Sequence, residues 1–183
     1  MFLGVWSGVF ATREALMADV LLTIGIDPGK KGAVVALDHE ARPIDWIAAD
    51  EPGGYCDGDY LPKVLVDWLD ELKSREGYAV RLVIIEKQNA RPMEGRSSCF
   101  TNGKGFGMLI GIIAAAGLPY KIVSPAKWTR DVLGGVKGAE RKSKSIAHVQ
   151  ARVPDIKLTW GRRRVPHDGI ADATCLSLWG MDK

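Results

Sequence analysis

The sequence holds only three cysteines, Cys56, Cys99 and Cys175, and none stands in a C-x-x-C arrangement. That argues against a disulfide framework and against a structural zinc site, and it fits a reducing compartment. Long apolar stretches are also missing, since no run reaches the roughly 18–20 residues a membrane-spanning helix needs. The mildly apolar opening, Met1 to Leu16, lacks a basic leading region and carries Arg13 and Glu14. It reads as an extension rather than a secretion signal, with Met17 as an alternative start, so a cytoplasmic, non-secreted protein is expected. Internal repeats and low-complexity tracts are absent, and with them solenoid and linker architectures.

What is present is an ordinary globular composition: 183 residues, 46% hydrophobic and 26% charged. The length suits residues 21–183 as a single domain behind an extension of residues 1–20. The formal charge of +3 hides an asymmetry, because residues 1–120 carry 12 basic against 16 acidic side chains and residues 121–183 carry 13 against 6. A basic final third points to a polyanionic partner or to a solvated basic surface.

Periodicity predicts strands over 21–27, 32–38 and 43–49, the first two separated by the turn Pro28-Gly29-Lys30-Lys31-Gly32. A helix follows over 61–75, a buried-type strand over 81–86 and a polar loop over 88–105. Residues 106–116 read as a buried or dimer-forming helix and 120–123 as a strand. Ser124 and Pro125 open a further helix as cap and first residue, and helices over 142–153 and 168–181 complete the chain. Three antiparallel strands, then strands alternating with helices, make an α/β layered domain.

Four acids stand out against this frame. Asp27 ends the first apolar strand and Glu86 ends Leu82-Val83-Ile84-Ile85, where a carboxylate is costly unless a cation meets it. Asp168 and Asp172 fall on one stripe of the last helix with Cys175 and Trp179, and like charges at that spacing repel. Solvent-facing strand ends and a helix N-terminus that favours acids are the plain alternatives. Converging, the four would suit Mg²⁺ or Mn²⁺, two ions of which can activate water and stabilise a leaving oxygen in phosphodiester cleavage. His167 is a further ligand or proton-transfer candidate, or a loop or capping histidine.

Ile24-Gly25-Ile26-Asp27-Pro28-Gly29, Ile84-Ile85-Glu86 and His167-Asp168-Gly169-Ile170-Ala171-Asp172-Ala173 together resemble the RuvC-type Holliday junction resolvases. Gly105-Phe106-Gly107-Met108-Leu109-Ile110-Gly111 and Val123-Ser124-Pro125-Ala126-Lys127-Trp128 look closer to the phage and plastid branch, which would make the cytoplasm that of a host cell. The resemblance implies an RNase H-like α/β fold: a mixed five-stranded sheet, three antiparallel strands then two parallel, flanked by helices. It also implies a homodimeric crossover junction endodeoxyribonuclease that resolves four-way DNA by paired metal-dependent nicks, of use in recombination and repair. Asp27, Glu86 and Asp172 match family acids. The remaining ligand falls on Asp168, with His167 the alternative.

Phosphate contacts are expected from Lys30 and Lys31 beside Asp27, and from Lys87 and Arg91 after Glu86. Lys104, Lys127, Arg141, Lys142, Lys144 and the run Arg162-Arg163-Arg164 extend the basic set. Phe106, with Phe100, Thr101 and Asn102 nearby, reads either as a wedge into opened base pairs or as core. Two other readings are a non-catalytic junction-binding protein of the same fold and an actin-like nucleotide enzyme. The chain is short for the latter and shows no second phosphate loop, so no nucleotide cofactor is expected.

Overall fold

The computed structural model of the protein describes residues 18–89, 95–136 and 138–183. Its centre is β1 (Val20–Asp27), whose alternation sends Leu22, Ile24 and Ile26 to one side and Thr23, Gly25 and Asp27 to the other. Antiparallel to it runs β2 (Ala33–Leu37), and β3 (Pro43–Ala48) lies antiparallel to β2. On the opposite edge β6 (Tyr78–Glu86) pairs parallel with β1, and β7 (Tyr120–Val123) pairs parallel with β6. The sheet order is thus β3-β2-β1-β6-β7, the mixed five-stranded arrangement expected. A small hairpin of β4 (Cys56–Asp57) and β5 (Asp59–Tyr60) sits where sequence predicts only loop.

Two cores lie on the two faces of the sheet. Leu22, Ile24, Ile26, Val83 and Ile85 pack against Leu65, Leu69 and Leu72 of α1 (Pro62–Ser74) and Leu109 and Ile113 of α2 (Arg96–Ala115). Ala33, Val35, Leu82 and Ile84 pack on the other face against α5 (Asp168–Met181), with α3 (Pro125–Leu133) and α4 (Gly138–Arg152) around it. Helix α2 begins well before the Phe106 start that sequence predicts, taking in most of the expected 88–105 loop. Its Ser, Asn and Gly residues read as loop by composition. Gly105, however, is required by packing, since a Cβ there would lie 2.1 Å from the Tyr60 ring. Ser124 does take the N-cap position of α3 with Pro125 following, although its hydroxyl makes no capping bond.

Candidate active site

Strand register brings the first two acids together. Ile26 pairs with Ile85, so Asp27 and Glu86 are level at the carboxyl ends of neighbouring parallel strands and point to the same face. Helix α5 crosses that face closely because Gly25 has no side chain: a Cβ there would lie 2.0 Å from the Ala173 carbonyl oxygen. The Ser177 hydroxyl donates to the Thr23 carbonyl at 2.7 Å and fixes the same crossing. Asp172, next to Ala173, is thereby carried into the space beside Asp27 and Glu86, with only 3% of its surface exposed.

The electrostatics record the crowding. Burial, followed by the Glu86 and Asp172 carboxylates, raises the Asp27 carboxyl from 3.8 to about 8. Burial also raises Asp172 from 3.8 to about 6, with Arg141 pulling down while Glu86 and Asp168 push up. The Arg141 guanidinium lies between two of the acids, 3.4 Å from Glu86 Oε1 and 3.0 Å from Asp172 Oδ2. Asp168 instead pairs with Lys142. Burial alone would raise Asp168, but the Lys142 ammonium outweighs it and holds the carboxyl below its ordinary value.

Does this set fit a divalent cation? Asp172 Oδ1 is buried with no hydrogen-bond partner, the condition of an oxygen that lacks its counter-ion. Hard carboxylate oxygens are the donors Mg²⁺ and Mn²⁺ take, and cancelling charge among Asp27, Glu86 and Asp172 is what raised pKa values call for. Among the described residues no three His, Cys, Asp or Glu side chains already form a cage, and Arg141 fills the space between Glu86 and Asp172. The residues fit a cation, with Arg141 as the present counter-charge.

A pH dependence follows for the metal-free protein. Folded Asp27 and Asp172 titrate at about 8 and about 6, above the ordinary 3.8, so the folded state holds protons that the unfolded chain has released. Their stabilisation is fully present below about pH 4 and is lost as pH rises through about 6 and 8. Urea midpoints of the metal-free protein should fall across that window, and Asp27→Asn should flatten the fall. An unchanged slope in the variant would contradict the assignment.

His167 is placed differently from the acids. It is wholly buried as the N-cap of α5, its Nδ1 accepting from the Ile170 backbone N–H at 3.1 Å. Its Nε2 lies 2.9 Å from Asp50 Oδ1, and the ring packs edge-on against Trp160 at 4.8 Å. With Nδ1 accepting, the proton sits on Nε2 and is donated to Asp50, so neither nitrogen has a lone pair to offer an ion. Burial lowers its pKa and keeps the ring neutral. His167→Ala should cost about 3 kcal/mol of stability through the lost cap and the buried gap, with Mn²⁺ affinity unchanged. The reverse pattern in denaturation and Mn²⁺ titration would make His167 a ligand.

Several basic residues singled out in the sequence are engaged within the protein. Lys104 pairs with Asp59 at 2.5 Å and Lys127 with Asp131 at 3.3 Å, while Lys30 donates to the Gly58 carbonyl at 3.3 Å. Lys31, Lys87, Lys144, Arg162 and Arg164 are exposed, and Arg163 lies over the Trp160 ring at 4.7 Å. Arg91 falls outside the described residues. Phe106 is half-buried against the α1–α2 core, whereas Phe100 is 74% exposed. A cleft of about 580 Å³ opens at Glu86 between Lys87, Gln88, Arg141 and Lys142. Sequence reading missed Trp128, whose indole N–H donates to Glu86 Oε1 at 2.8 Å, and the bridging place of Arg141. Neither partnership has a local signature, for Trp128 and Glu86 are 42 residues apart.

Neither protein-family models nor curated proteins gave a match to the sequence. Among solved structures, the Thermus thermophilus RuvC bound to a Holliday junction substrate is similar, with TM-score 0.55 and 15% identity over 86% of this chain and 90% of that one. A second Thermus thermophilus RuvC structure aligns with TM-score 0.50 and 17% identity over 86% and 91%. The yeast mitochondrial Holliday junction resolvase Ydc2 aligns with TM-score 0.53 and 16% identity over 87% and 77%. With its sheet order and flanking helices, the chain has the RNase H-like fold that these resolvases share.

Proposed function

We propose that the protein is a structure-selective endonuclease, one that resolves four-way DNA junctions as a homodimer through paired metal-dependent phosphodiester nicks. The observation that carries this reading is that Asp27, Glu86 and Asp172 lie near enough to act on one another's ionisation in a resolvase-like fold, with Asp27 and Asp172 at raised pKa values. In this reading Asp27, Glu86 and Asp172 hold the cation, and Asp168 joins them at the rim. A bound Mg²⁺ or Mn²⁺, two per site, would supply Lewis-acid activation of water and stabilisation of the leaving oxygen. Arg141 and Lys142, at the edge of the Glu86 cleft, are placed to orient a scissile phosphate and offset its charge.

The exposed run Arg162–Arg164 leads into the helix that carries Asp168 and Asp172, which favours it as the anchor for phosphates flanking the cut. Replacing all three by Gln should weaken junction binding and reduce the salt slope by roughly 0.9 for each phosphate no longer neutralised. An unchanged slope would remove the run from the interface. For the homodimer, support comes from an apolar groove of about 430 Å³ between α1 and α2, lined by Val66, Met108, Gly111 and Ile112. The Gly105–Gly111 and Val123–Trp128 motifs support a place near the phage and plastid branch.

The test compares a synthetic four-way junction with linear duplex of the same sequence, each with Mg²⁺ or Mn²⁺ and with EDTA. Cleavage of the junction alone, and only with metal, is expected. Tight junction binding without any cleavage would favour the non-catalytic binding protein instead.

A further inference from the structure

We propose that Trp128 is a positioning residue for the acidic centre, its indole N–H fixing which oxygen of Glu86 faces a bound divalent ion. This rests on the reading of that centre as a metal site. Strand β7 pairs parallel with β6, Val123 opposite Glu86, and α3 starts two residues later. That junction swings Trp128, wholly buried, under the carboxylate, with Nε1 2.8 Å from Oε1. Arg141 completes the arrangement, its guanidinium 3.4 Å from the same oxygen and 5.7 Å from the Trp128 ring centroid.

Glu86 Oε1 therefore takes the one short bond, 2.8 Å from the Trp128 indole, together with a long one from Arg141 at 3.4 Å, while Oε2 has only the Gln88 amide, also at 3.4 Å. An indole N–H can only donate, and here it is sealed from water, so the bond does not exchange with solvent. The carboxylate is held in one orientation before any ion arrives, with Oε2 left as the ligand oxygen. Partners of this kind, behind the ligands themselves, typically change metal affinity 10–100-fold when removed. The motif Val123-Ser124-Pro125-Ala126-Lys127-Trp128 thus acquires a chemical role: it delivers one buried donor to a ligand on the neighbouring strand.

The test is Mn²⁺ titration of the metal-free full-length protein without DNA, read by the electron paramagnetic resonance of free Mn²⁺. Four proteins are compared: wild type, Trp128→Phe, Glu86→Gln and the double variant. Trp128→Phe should raise the Kd about tenfold, and Glu86→Gln should raise it as well. In the Glu86→Gln background, Trp128→Phe should add less than about twofold, because the group it positions is gone. An equal effect in both backgrounds, or no effect in the wild type, overturns the proposal and leaves the metal centre standing. Unchanged Mn²⁺ affinity in Glu86→Gln sinks both. To separate the N–H from ring volume, 3-benzothienylalanine at position 128 keeps the bicyclic ring and deletes only the donor. It should reproduce the tenfold loss, and wild-type affinity in that protein would also overturn the proposal.

Discussion

Replacing Asp27 by Asn is expected to slow metal-dependent junction cleavage at least about a thousandfold, roughly 4 kcal/mol of barrier, while junction binding holds or tightens. Asparagine keeps the shape of the side chain and removes the charge that three carboxylates share. Burial first, and then the Glu86 and Asp172 carboxylates, raise Asp27 to about 8, so it is the acid of the three most in need of a compensating charge. Without that charge, a cation loses a ligand and phosphate loses a repelling neighbour, so catalysis and binding should move in opposite directions. Gel-shift and cleavage assays on the same preparation check this. Cleavage within about tenfold of wild type, or binding that falls together with cleavage, would contradict the assignment.

The positions of these acids were legible because each breaks a pattern. Asp27 and Glu86 end apolar strands, and Asp172 falls on one stripe of its helix with the buried Cys175 and Trp179, where a carboxylate calls for a compensating charge. The order of strands and helices indicated only an α/β layered domain; parallel strands came with the family resemblance, and the structure shows the pairing that sets Asp27 level with Glu86. What stayed hidden depends on partners far apart in sequence. Arg141 reads as one more cation in a basic third, and only the packing of α4 against α5 shows it bridging Glu86 and Asp172. His167 reads as a ligand candidate or as a capping histidine; the fold shows the cap on Ile170, and only the partner Asp50, 117 residues away, had no trace in the sequence. The start of α2 was obscured for a different reason: its first turns carry Ser, Asn and Gly, whose weak helix propensity is overridden by packing on Tyr60 and the α1 side of the sheet.

Gly25→Ala should have the largest effect on stability, more than about 3 kcal/mol, by forcing β1 and α5 apart. The added Cβ would meet the Ala173 carbonyl oxygen at 2.0 Å and the Ser177 backbone nitrogen at 2.5 Å, both backbone atoms with no rotamer to yield. Relief by sliding α5 is opposed at two further points. Ser177 is bonded to the Thr23 carbonyl at 2.7 Å, and Gly180 lies so close that a Cβ would come within 2.5 Å of Ile84. Because Asp172 precedes Ala173, any residual displacement also carries it away from Asp27 and Glu86. A misplacement near 1 Å costs about a hundredfold in rate, so the folded fraction should cleave poorly. Gly107→Ala on α2 is the matched control: nothing lies within 4 Å of its Cβ position, and a helical Gly→Ala change there should be neutral or stabilising by up to about 1 kcal/mol. Chemical denaturation of the two variants decides the matter, and equal stability would mean that α5 does not depend on Gly25 for its approach.

The nuclease reading meets its sharpest test in strand-resolved cleavage of a four-way junction labelled in turn on each of its four strands. With Mg²⁺ or Mn²⁺, nicks are expected at symmetric positions in two opposing strands, with none in linear duplex, in EDTA or with Asp27→Asn. A junction that is bound tightly yet remains uncut on all four strands with either metal would contradict that reading.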